Sequence, residues 1–257
     1  MVSFRRANLI GESNSRVIGM STDDEKIRAA ARAVEFIEDG QVVGLGTGTT
    51  ASHAITMIAR RVKGGLSVKG VPTSNATQHL ARAAGIPLLS LNEVDRIDVT
   101  LDGADEIDPD FNMIKGGGGA LAREKLVAIA SSKRIIIVDA SKLVRKLGAR
   151  FPVPVEVLPF GSRVAARALE SLGCHAKIRE INGSPFVTDN MNWILDCTAG
   201  LVDDPAALER AIKQISGVVE CGLFAKLADV LVIGRDDDVT ILEAGSSTGR
   251  IELFNAH

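Results

Sequence analysis

The sequence contains few of the residues on which several common kinds of protein site depend. It has 3 cysteines, 4 histidines, 1 tryptophan and no tyrosine among 257 residues. Cys174, Cys197 and Cys221 are odd in number and form no CxxC pair, which argues against a disulfide framework or a zinc site and favours a reducing cytoplasm. Aromatic residues make up only 4% of the chain, so stacking platforms for nucleobases or sugars are scarce.

Charge and hydropathy exclude further classes of protein. The 30 Lys and Arg residues against 32 Asp and Glu residues give a formal net charge of −2, unlike that of a protein that binds the phosphate backbone of nucleic acids. No uninterrupted apolar run approaches the roughly 20 residues that span a bilayer. Hydrophobic residues make up 46% and charged residues 24%, an ordinary globular balance. We therefore expect neither nucleic acid nor a membrane as a partner.

The histidines and serines exclude two common catalytic centres. None of the histidines is paired at the spacing of metal ligands, and none lies in the segments rich in Gly, Asp and Lys described below; they are His53, His79, His175 and His257. A histidine-based hydrolase triad is therefore not expected, and no serine occupies a GxSxG motif. A histidine-ligated metal centre is likewise not expected, and the catalytic groups that remain, carboxylates and lysines, need no cofactor.

From residue 22 onward, short apolar runs alternate with helical patterns. Thr22 and Glu25 form a capping box at the start of the first helix. Apolar runs predict strands, and apolar residues at helical spacing predict helices. The strands are predicted at 41–45, 66–71, 97–101 and 134–138, with further apolar runs at 87–91, and the helices at 51–61, 76–84 and 120–131. This alternation predicts a parallel sheet covered on both faces.

The pattern changes near Phe151, where prolines punctuate the chain. Strands are then predicted at 153–157, 175–179, 192–196 and 217–221, and helices at 162–172 and 205–215. That order is βαββαβ, the ferredoxin-like unit. The aliphatic run 230–233 is expected to return to the first sheet, which would make the second unit an insertion.

The predicted fold class is therefore α/β. A Rossmann-like parallel-sheet domain is expected at residues 22–149 and 229–257, with a smaller inserted α/β domain at 150–228. Residues 1–21 lack apolar periodicity and are predicted to form a disordered leader. Because they carry Arg and Ser and few acids, a transit peptide is the alternative.

A loop rich in glycine and threonine, GLGTGTTA, is predicted to connect the first strand to a helix. Its glycines let the backbone approach a ligand, and the helix N-terminus offers free N–H groups to an anion such as phosphate. The candidate contacts are Thr47, Gly48, Thr49 and Thr50. The loop is neither a GxGxxG fingerprint, because position 49 is Thr, nor a Walker A loop, because no Gly-Lys-Ser/Thr follows.

The segment TLDGADEID brings four carboxylates close together. An apolar strand places Asp102 at its carboxyl end, where ligands bind in open α/β sheets. Carboxylates at this spacing repel one another unless solvent, protons or cations intervene. We interpret Glu106 and Asp108 as turn residues. The candidate site residues are Asp102, Gly103, Ala104 and Asp105.

The segment MIKGGGGALAREK carries four consecutive glycines, which require either flexibility or very close backbone approach. The candidates here are Lys115, Gly116, Gly117, Gly118 and Glu124. Lys142 follows the next strand, in DASK. Taken alone, Glu124 fits an exposed helical turn better than a functional site, and Lys142 fits a solvated lysine equally well. Carboxylates and lysines beside a phosphate-type loop suit proton transfer on a small phosphorylated substrate.

Taken together, these segments resemble the A-type ribose-5-phosphate isomerase family. GLGTGTTA, TLDGADEID, MIKGGGGALAREK, DASK and FPVPVEV occur in the order and at the spacing of that family, from about Asp24 to Glu243. The resemblance implies a metal-independent aldose–ketose isomerase of the pentose phosphate pathway, which interconverts ribose 5-phosphate and ribulose 5-phosphate. It also implies a cytoplasmic homodimer or homotetramer with a Rossmann-like domain that carries a smaller one.

The resemblance also implies residue roles. Glu124 would be the base that moves a proton between C2 and C1 through an enediol(ate), and Lys115 with the glycine amides would hold the developing negative charge. Asp102 would assist ring opening or steer hydroxyl protons, and Asp105 would orient hydroxyls. The phosphate would contact residues 47–50, Lys142 and Lys26. Position 119 is often Ala in the family, and Gly there is expected to cost little.

Two other classes of function, a non-catalytic sensor and a different enzyme, fit an α/β chain of this kind. A sugar-phosphate-sensing domain of a transcription regulator would predict an attached helix-turn-helix and a basic patch, yet only about 25 residues precede the first strand–helix unit and the charge is slightly acidic. A sensor also has no need for Glu124 beside Asp102 and Lys115. An aminosugar-phosphate deaminase or an acyl-CoA transferase could share the scaffold, but a deaminase would need a catalytic histidine in these segments.

Overall fold

The structure, a computed structural model, describes residues 22–246 and 253–254. The predicted leader of residues 1–21 lies outside the described residues. Within these ranges, no helix is both long enough and apolar enough to cross a membrane.

The helices lie close to their predicted positions and differ from them at the ends. The second helix begins at Thr49, two residues before its predicted start, directly after Gly48 with a φ of 105°. The sixth is capped by Asp204, whose carboxylate accepts from the amide of Ala207, with proline at the first helical position. In the described chain the helices are α1 (Thr22–Val34), α2 (Thr49–Lys63), α3 (Asn75–Ala83), α4 (Leu121–Ile129), α5 (Ser162–Ser171) and α6 (Pro205–Lys213).

The strands of the described chain are named in chain order. They are β1 (Val42–Leu45), β2 (Lys69–Pro72), β3 (Ile97–Asp102), β4 (Glu106–Ile107), β5 (Met113–Ile114), β6 (Ser131–Asp139), β7 (Val153–Val157), β8 (His175–Ile178), β9 (Glu180–Ile181), β10 (Ser184–Pro185), β11 (Trp193–Thr198), β12 (Val218–Cys221), β13 (Leu223–Phe224), β14 (Val230–Arg235) and β15 (Asp238–Glu243).

The main sheet has the strand order β15-β14-β6-β3-β1-β2. All neighbouring strands pair in parallel except β14 and β15, which form an antiparallel hairpin. Strand β14 pairs with β6, as predicted for the aliphatic run that returns to this sheet. Both faces are covered, because alternate residues of β6 enter two different cores: Ile135 and Ile137 on one side, Ile136 and Val138 on the other.

The parallel arrangement brings the candidate segments together. The carboxyl ends of β1, β3 and β6 lie at the same edge of the sheet, since β3 pairs with both other strands. The loops that follow these strands carry the candidate residues at 47–50, 102–105 and 142. This edge is where ligands bind in open α/β sheets.

A second sheet has the order β12-β7-β11-β8, with every neighbouring pair antiparallel. In chain order its elements are β7-α5-β8-β11-α6-β12, the predicted βαββαβ unit, with the hairpin β9–β10 between β8 and β11. Its core contains the buried, unpaired thiols of Cys174, Cys197 and Cys221. The predicted α/β fold class is confirmed. The domain boundaries near residues 150 and 228 stay a prediction.

Three features were not predicted. A small sheet of order β13-β5-β4 consists of two-residue strands, which are too short to give a periodic pattern. Strand β15 is a partly exposed edge strand with no fully buried residue. The apolar run at 87–91 forms only a bridge between Gly70 and Leu88 and then a 3-10 turn from Leu91.

Candidate active site

A cavity of about 120 Å³ lies at the carboxyl edge of the main sheet. The predicted site residues, Asp102 excepted, line it together: Lys26, Thr47, Gly48, Thr49, Thr50, Gly103, Ala104, Asp105, Lys115, Gly116, Gly117, Gly118, Glu124 and Lys142. Asp102 lies directly behind this lining, 3.1 Å from the ammonium of Lys115. The structure therefore brings every candidate residue to one place.

One end of the cavity, where the sequence predicts an anion site, is formed by the N-terminus of α2. Gly48 precedes the helix and has no side chain that could cap it. The N–H groups of the first helical turn therefore receive no hydrogen bond acceptor from the capping residue. Thr49 is exposed and Thr50 is half-buried beside them. Lys26 on α1 and Lys142, in the 3-10 turn after β6, add two cationic side chains to the lining. Helix terminus and lysines together favour a phosphate group.

Thr47 lines the cavity, yet its polar groups are already engaged within the protein. Its hydroxyl lies 2.8 Å from Thr73 Oγ1 and donates to Ser74 Oγ at 2.9 Å, in a cluster that also includes Thr77. Its amide donates to Asp102 Oδ1 at 3.2 Å. Thr47 thus fixes the loop, and the free threonine hydroxyls near the cavity are those of Thr49 and Thr50.

Lys115 lies between two buried carboxylates. Its Nζ is 3.1 Å from Asp102 Oδ2 and 3.2 Å from Glu124 Oε1. It also donates to the carbonyl oxygen of Gly103 at 2.5 Å. Asp102 ends β3, Lys115 follows β5 and Glu124 lies in α4, so three separate elements converge on one ammonium. Asp102 passes so close to the first glycine loop that a Cβ at Gly46 would lie 2.2 Å from its Oδ1.

Burial and the imbalance of charge shift the pKa values of this cluster. Burial raises the pKa of Glu124 to about 8; the Lys115 ammonium opposes this shift and the charge of Asp102 adds to it. Burial also raises the pKa of Asp102, again against the effect of Lys115. Although burial alone would lower it, the pKa of Lys115 is raised by the surrounding carboxylates. One ammonium thus serves two carboxylates in a dry site, and a carboxyl group there keeps a proton near neutral pH.

The two oxygens of Glu124 have different surroundings. Oε1 accepts from Lys115, whereas Oε2 is buried and has no hydrogen-bond partner among the described residues. The side chain is 6% exposed and lines the cavity. The interpretation of Glu124 as an exposed helical residue is therefore wrong. A carboxylate with one oxygen anchored and the other free at a cavity is suited to accept a proton from a bound molecule.

The glycine run is held from both sides. The amide of Gly117 donates to Asp105 Oδ2 at 2.7 Å. On the other side, Arg179 Nη1 donates to the carbonyl oxygens of Gly116 and Gly117 at 2.9 and 3.0 Å. The guanidinium is itself paired with Asp196 at 2.5 Å. Backbone amides fixed in this way are ready to contact a ligand without reorganising.

Comparisons with known proteins agree with this geometry. The sequence profile described as ribose 5-phosphate isomerase A (phosphoriboisomerase A) matches residues 69–238. The chain is 48% identical over 232 residues to the ribose-5-phosphate isomerase A of Parvibaculum lavamentivorans, covering 88% of this chain and 100% of that relative. This chain belongs to the ribose 5-phosphate isomerase A family.

Solved structures of the family have the same fold. The ribose 5-phosphate isomerase A of Methanocaldococcus jannaschii is 41% identical, with a TM-score of 0.83 over 87% of this chain and 100% of that chain. A D-ribose-5-phosphate isomerase in complex with phospho-erythronic acid is 40% identical, with a TM-score of 0.85 over the same shares. The resemblance inferred from the motifs is thus confirmed, and the sensor alternative is not favoured.

One turn assignment in the family's DGADE segment is wrong. Glu106 is 1% exposed and lies in β4, where its carboxylate accepts from the amides of Gly148, Arg150 and Phe151 at 2.5–2.8 Å. It anchors the chain that leads into the second sheet. Asp108 is a turn residue as predicted, and accepts from the amide of Asn112. The four carboxylates of this segment avoid mutual repulsion because each has its own donors.

Glycine suits position 119 in this structure. It has a φ of 82°, and a Cβ would lie 2.3 Å from the ring of Phe186. This agrees with the expectation that Gly costs little at this position, whereas Ala would strain the backbone and require the Phe186 ring to move. Phe186 and Arg179 were both missed by sequence reasoning, because they lie outside the motifs and about 60 residues or more beyond the glycine run.

Proposed function

We propose that this chain interconverts ribose 5-phosphate and ribulose 5-phosphate, with Glu124 as the base that moves a proton between C2 and C1. The observation that carries the proposal is the arrangement of Glu124, which has one oxygen bound to Lys115 and the other buried without a partner at the cavity. The phospho-erythronic acid bound to a related isomerase supports a phosphorylated sugar as the ligand class.

The reaction moves one proton between carbons and one between oxygens. In the open-chain aldose, Glu124 takes the proton from C2, and the electron pair forms the C1–C2 double bond of an enediolate while negative charge develops on the carbonyl oxygen O1. The hydroxyl proton then passes from O2 to O1, and the Glu124 carboxyl returns its proton to C1 as the C2 carbonyl forms, which gives the ketose. The raised pKa of Glu124, about 8 because of burial, makes it a stronger base than an exposed glutamate while leaving a substantial ionised fraction near neutral pH.

Lys115 supports this step mainly through its charge. Its three N–H donors already contact Asp102, Glu124 and the carbonyl of Gly103. We therefore assign the direct contacts with the substrate oxygens to the amides of the glycine run, residues 116–118, with the ammonium close behind them.

The remaining residues bind and orient the substrate. The N-terminus of α2 with Gly48, Thr49 and Thr50, together with Lys26 and Lys142, would hold the phosphate. We assign Asp105 to the sugar hydroxyls, since it lines the cavity beside Gly103 and Ala104. Asp102, which shares Lys115 with the base, would assist ring opening or steer a hydroxyl proton. Thr47 would shape the loop instead of donating to the phosphate.

The biological setting is also a proposal. We place the reaction in the non-oxidative pentose phosphate pathway of the cytoplasm, which the three unpaired thiols support. We propose a homodimer or homotetramer, since large apolar side chains are exposed on α4, at Leu126 and Ile129, and Phe160 is fully exposed beside α5. We also propose residues 22–149 with 229–257 as the catalytic domain and 150–228 as the smaller one.

Proton NMR in D₂O tests the reaction directly. Purified protein is incubated with ribose 5-phosphate and excess chelator, with a protein-free sample as the control. We expect ribulose 5-phosphate to accumulate and deuterium to enter at the exchanging carbon, as an enediolate route with a solvent-exchanging base requires. Unchanged substrate with broadened signals would instead indicate binding without catalysis and would favour the sensor.

A further inference from the structure

A second buried lysine lies next to Glu124 in the chain. The Lys125 side chain is 2% exposed, and its ammonium is enclosed by four oxygens. They are Glu209 Oε1 at 2.6 Å, Glu220 Oε1 at 2.9 Å, the carbonyl of Cys221 at 2.8 Å and the carbonyl of Leu223 at 2.7 Å. We call these groups the Lys125 cage. The ammonium also lies 4.8 Å from the centre of the Phe224 ring, within the range of a cation–π contact.

The cage is not a vacant metal site. Glu209, Glu220 and Cys221 offer ligand atoms within 4.8 Å of one another, a spacing that could hold a metal ion in the described chain. The Lys125 ammonium already lies among these groups and supplies the positive charge. A metal ion would have to displace a lysine held by four close oxygens.

The cage ties α4 to the segment that also carries Lys115. Two of its oxygens are backbone carbonyls of the segment 221–223, so that segment is bound directly to the helix of Glu124. The same segment pairs with β5, Leu223 opposite Ile114, and the amide of Lys115 donates to the carbonyl of Gly222 at 2.9 Å. Glu124 and Lys115 are therefore fixed to one piece of backbone from two directions.

We propose that Lys125 is a positioning residue, which sets the distance between the carboxylate of Glu124 and the ammonium of Lys115 by anchoring α4 to residues 221–223. The proposal rests on the proposed function for its catalytic consequence, because it takes Glu124 as the base. Lys125 faces away from the cavity and does not line it. It acts on the reaction through Glu124.

The decisive variant removes the anchor without changing the local net charge. Lys125→Met combined with Glu209→Gln deletes one positive and one negative charge, and leaves Glu220 paired with Lys213 at 2.9 Å. We expect kcat to fall by about tenfold with KM within about twofold, because a small displacement of a catalytic group is enough to cost this much. A variant that was only less stable would lower the active fraction without any change in the titration of Glu124.

Carboxyl ¹³C NMR of the substrate-free protein supplies that second readout. Glu124 faces Lys115 directly after β5, Asp102 at the end of β3 and Asp105 in the loop after β3. If the anchor is lost, Lys115 moves away and the Glu124 midpoint shifts to higher pH. The matched control is Lys213→Met, which removes the other lysine of Glu220 from an exposed position without any bond to α4. We expect the control to have wild-type kcat and midpoint.

The outcomes separate the two proposals. A double variant with wild-type kcat and midpoint would overturn the positioning role, whatever Glu124 does. If Glu124→Gln kept its turnover, the proposed function would fail, while the midpoint shift would still report on positioning. If the double variant does not fold, the single variant Glu209→Gln tests the proposal through the direction in which the Glu124 midpoint shifts. Loss of its negative charge would lower the Glu124 midpoint, whereas a loosened anchor raises it, and a lower or unchanged midpoint would contradict the proposal.

Discussion

Two buried lysines, Lys115 and Lys125, lie in clusters of similar composition and different charge balance. Each contacts two carboxylates and at least one backbone carbonyl, and their side chains are 4% and 2% exposed. Both ammonium groups lie near the same ring, that of Phe224, at 5.7 and 4.8 Å from its centre. Only the Lys115 cluster borders the cavity.

The two clusters differ in how completely positive charge from lysine neutralises the negative charge of their carboxylates. At Lys115, burial raises the pKa of both Glu124 and Asp102, and a single ammonium serves the two. At Lys125, burial also opposes ionisation of Glu220, but Lys125 and Lys213 together hold its pKa below the ordinary value. Contact between a lysine and carboxylates is thus common to a structural cage and a reactive site. Incomplete compensation beside a cavity distinguishes the second.

The largest expected difference between the clusters is in turnover. Glu124→Gln should lower kcat by about 10³-fold with KM within a few-fold, because general base catalysis is lost while the side chain keeps its shape. The matched change Glu209→Gln in the Lys125 cage should cost less than about tenfold. Steady-state kinetics of the two variants checks this prediction. Equal losses of kcat in the two variants would show that the difference between the Lys115 cluster and the Lys125 cage does not govern the reaction.

The phosphate end of the cavity should respond separately from both clusters. Lys142→Ala should raise KM by about tenfold and leave kcat within about twofold, because a phosphate contact made equally in substrate and transition state affects binding alone. Lys146→Ala, which removes a lysine from an exposed pair with Asp203, is the control and should leave both constants unchanged. An unchanged KM for Lys142→Ala would make it a solvated lysine.

The pH dependence of turnover should follow the Lys115 cluster. For the wild type, kcat/KM should rise with pH and level off above about 8, where Glu124 is ionised. Asp102→Asn removes a negative charge close to Glu124 and should move the rise of kcat/KM to lower pH, in addition to lowering the rate. Lys213→Met, which leaves the Lys125 cage intact, should leave the rise of kcat/KM at the wild-type pH. If the rise of kcat/KM stays at the same pH in Asp102→Asn, this would contradict the inference that Asp102 and Glu124 share the Lys115 ammonium.

The two clusters should contribute to stability with opposite signs of pH dependence. Burial raises the pKa of Glu124, so its contribution is present below its unfolded value near 4.5 and is lost as pH rises through about 8. For Glu220 the pKa is lowered, so its contribution is present above its unfolded value and is lost as the pH falls below it. Calorimetry should therefore find that the Tm of the wild type falls relative to that of Glu124→Gln as the pH is raised. As the pH is lowered, the Tm of the wild type should fall relative to that of Glu220→Gln. Parallel trends would contradict the assignment.

Much of the fold follows from local sequence pattern. Apolar runs predicted most strands of both large sheets, and β7 begins and ends at its predicted residues. Parallel pairing places the loops at 47–50, 102–105 and 142 at one edge of the sheet. Lys26, which also lines the cavity, was named only from the family resemblance. Strands of two residues carry no period, so the sheet that links Lys115 to residues 223–224 could not be found in this way.

The energetics of the site could not be derived from the motifs. Glu124 is buried, and its helix α4 packs against strands β7 and β12 of the second sheet. An isolated glutamate in a helical pattern gives no sign of this burial. Lys125 follows Glu124 directly, yet its partners Glu209 and Glu220 belong to no motif. Arg179 and Phe186 hold the glycine run from the same distant region. Such long-range contacts leave no local pattern.

The most direct test of the account is a carboxyl ¹³C titration of the wild-type protein that resolves Glu124 and Glu220 in one series of spectra. We expect a midpoint near 8 for Glu124, because the group is buried and shares one ammonium with Asp102. We expect a midpoint below the ordinary value of 4.5 for Glu220. A Glu124 midpoint at or below that of Glu220 would show that sharing one ammonium in the Lys115 cluster does not raise the pKa of the proposed base above that of a carboxylate in the Lys125 cage.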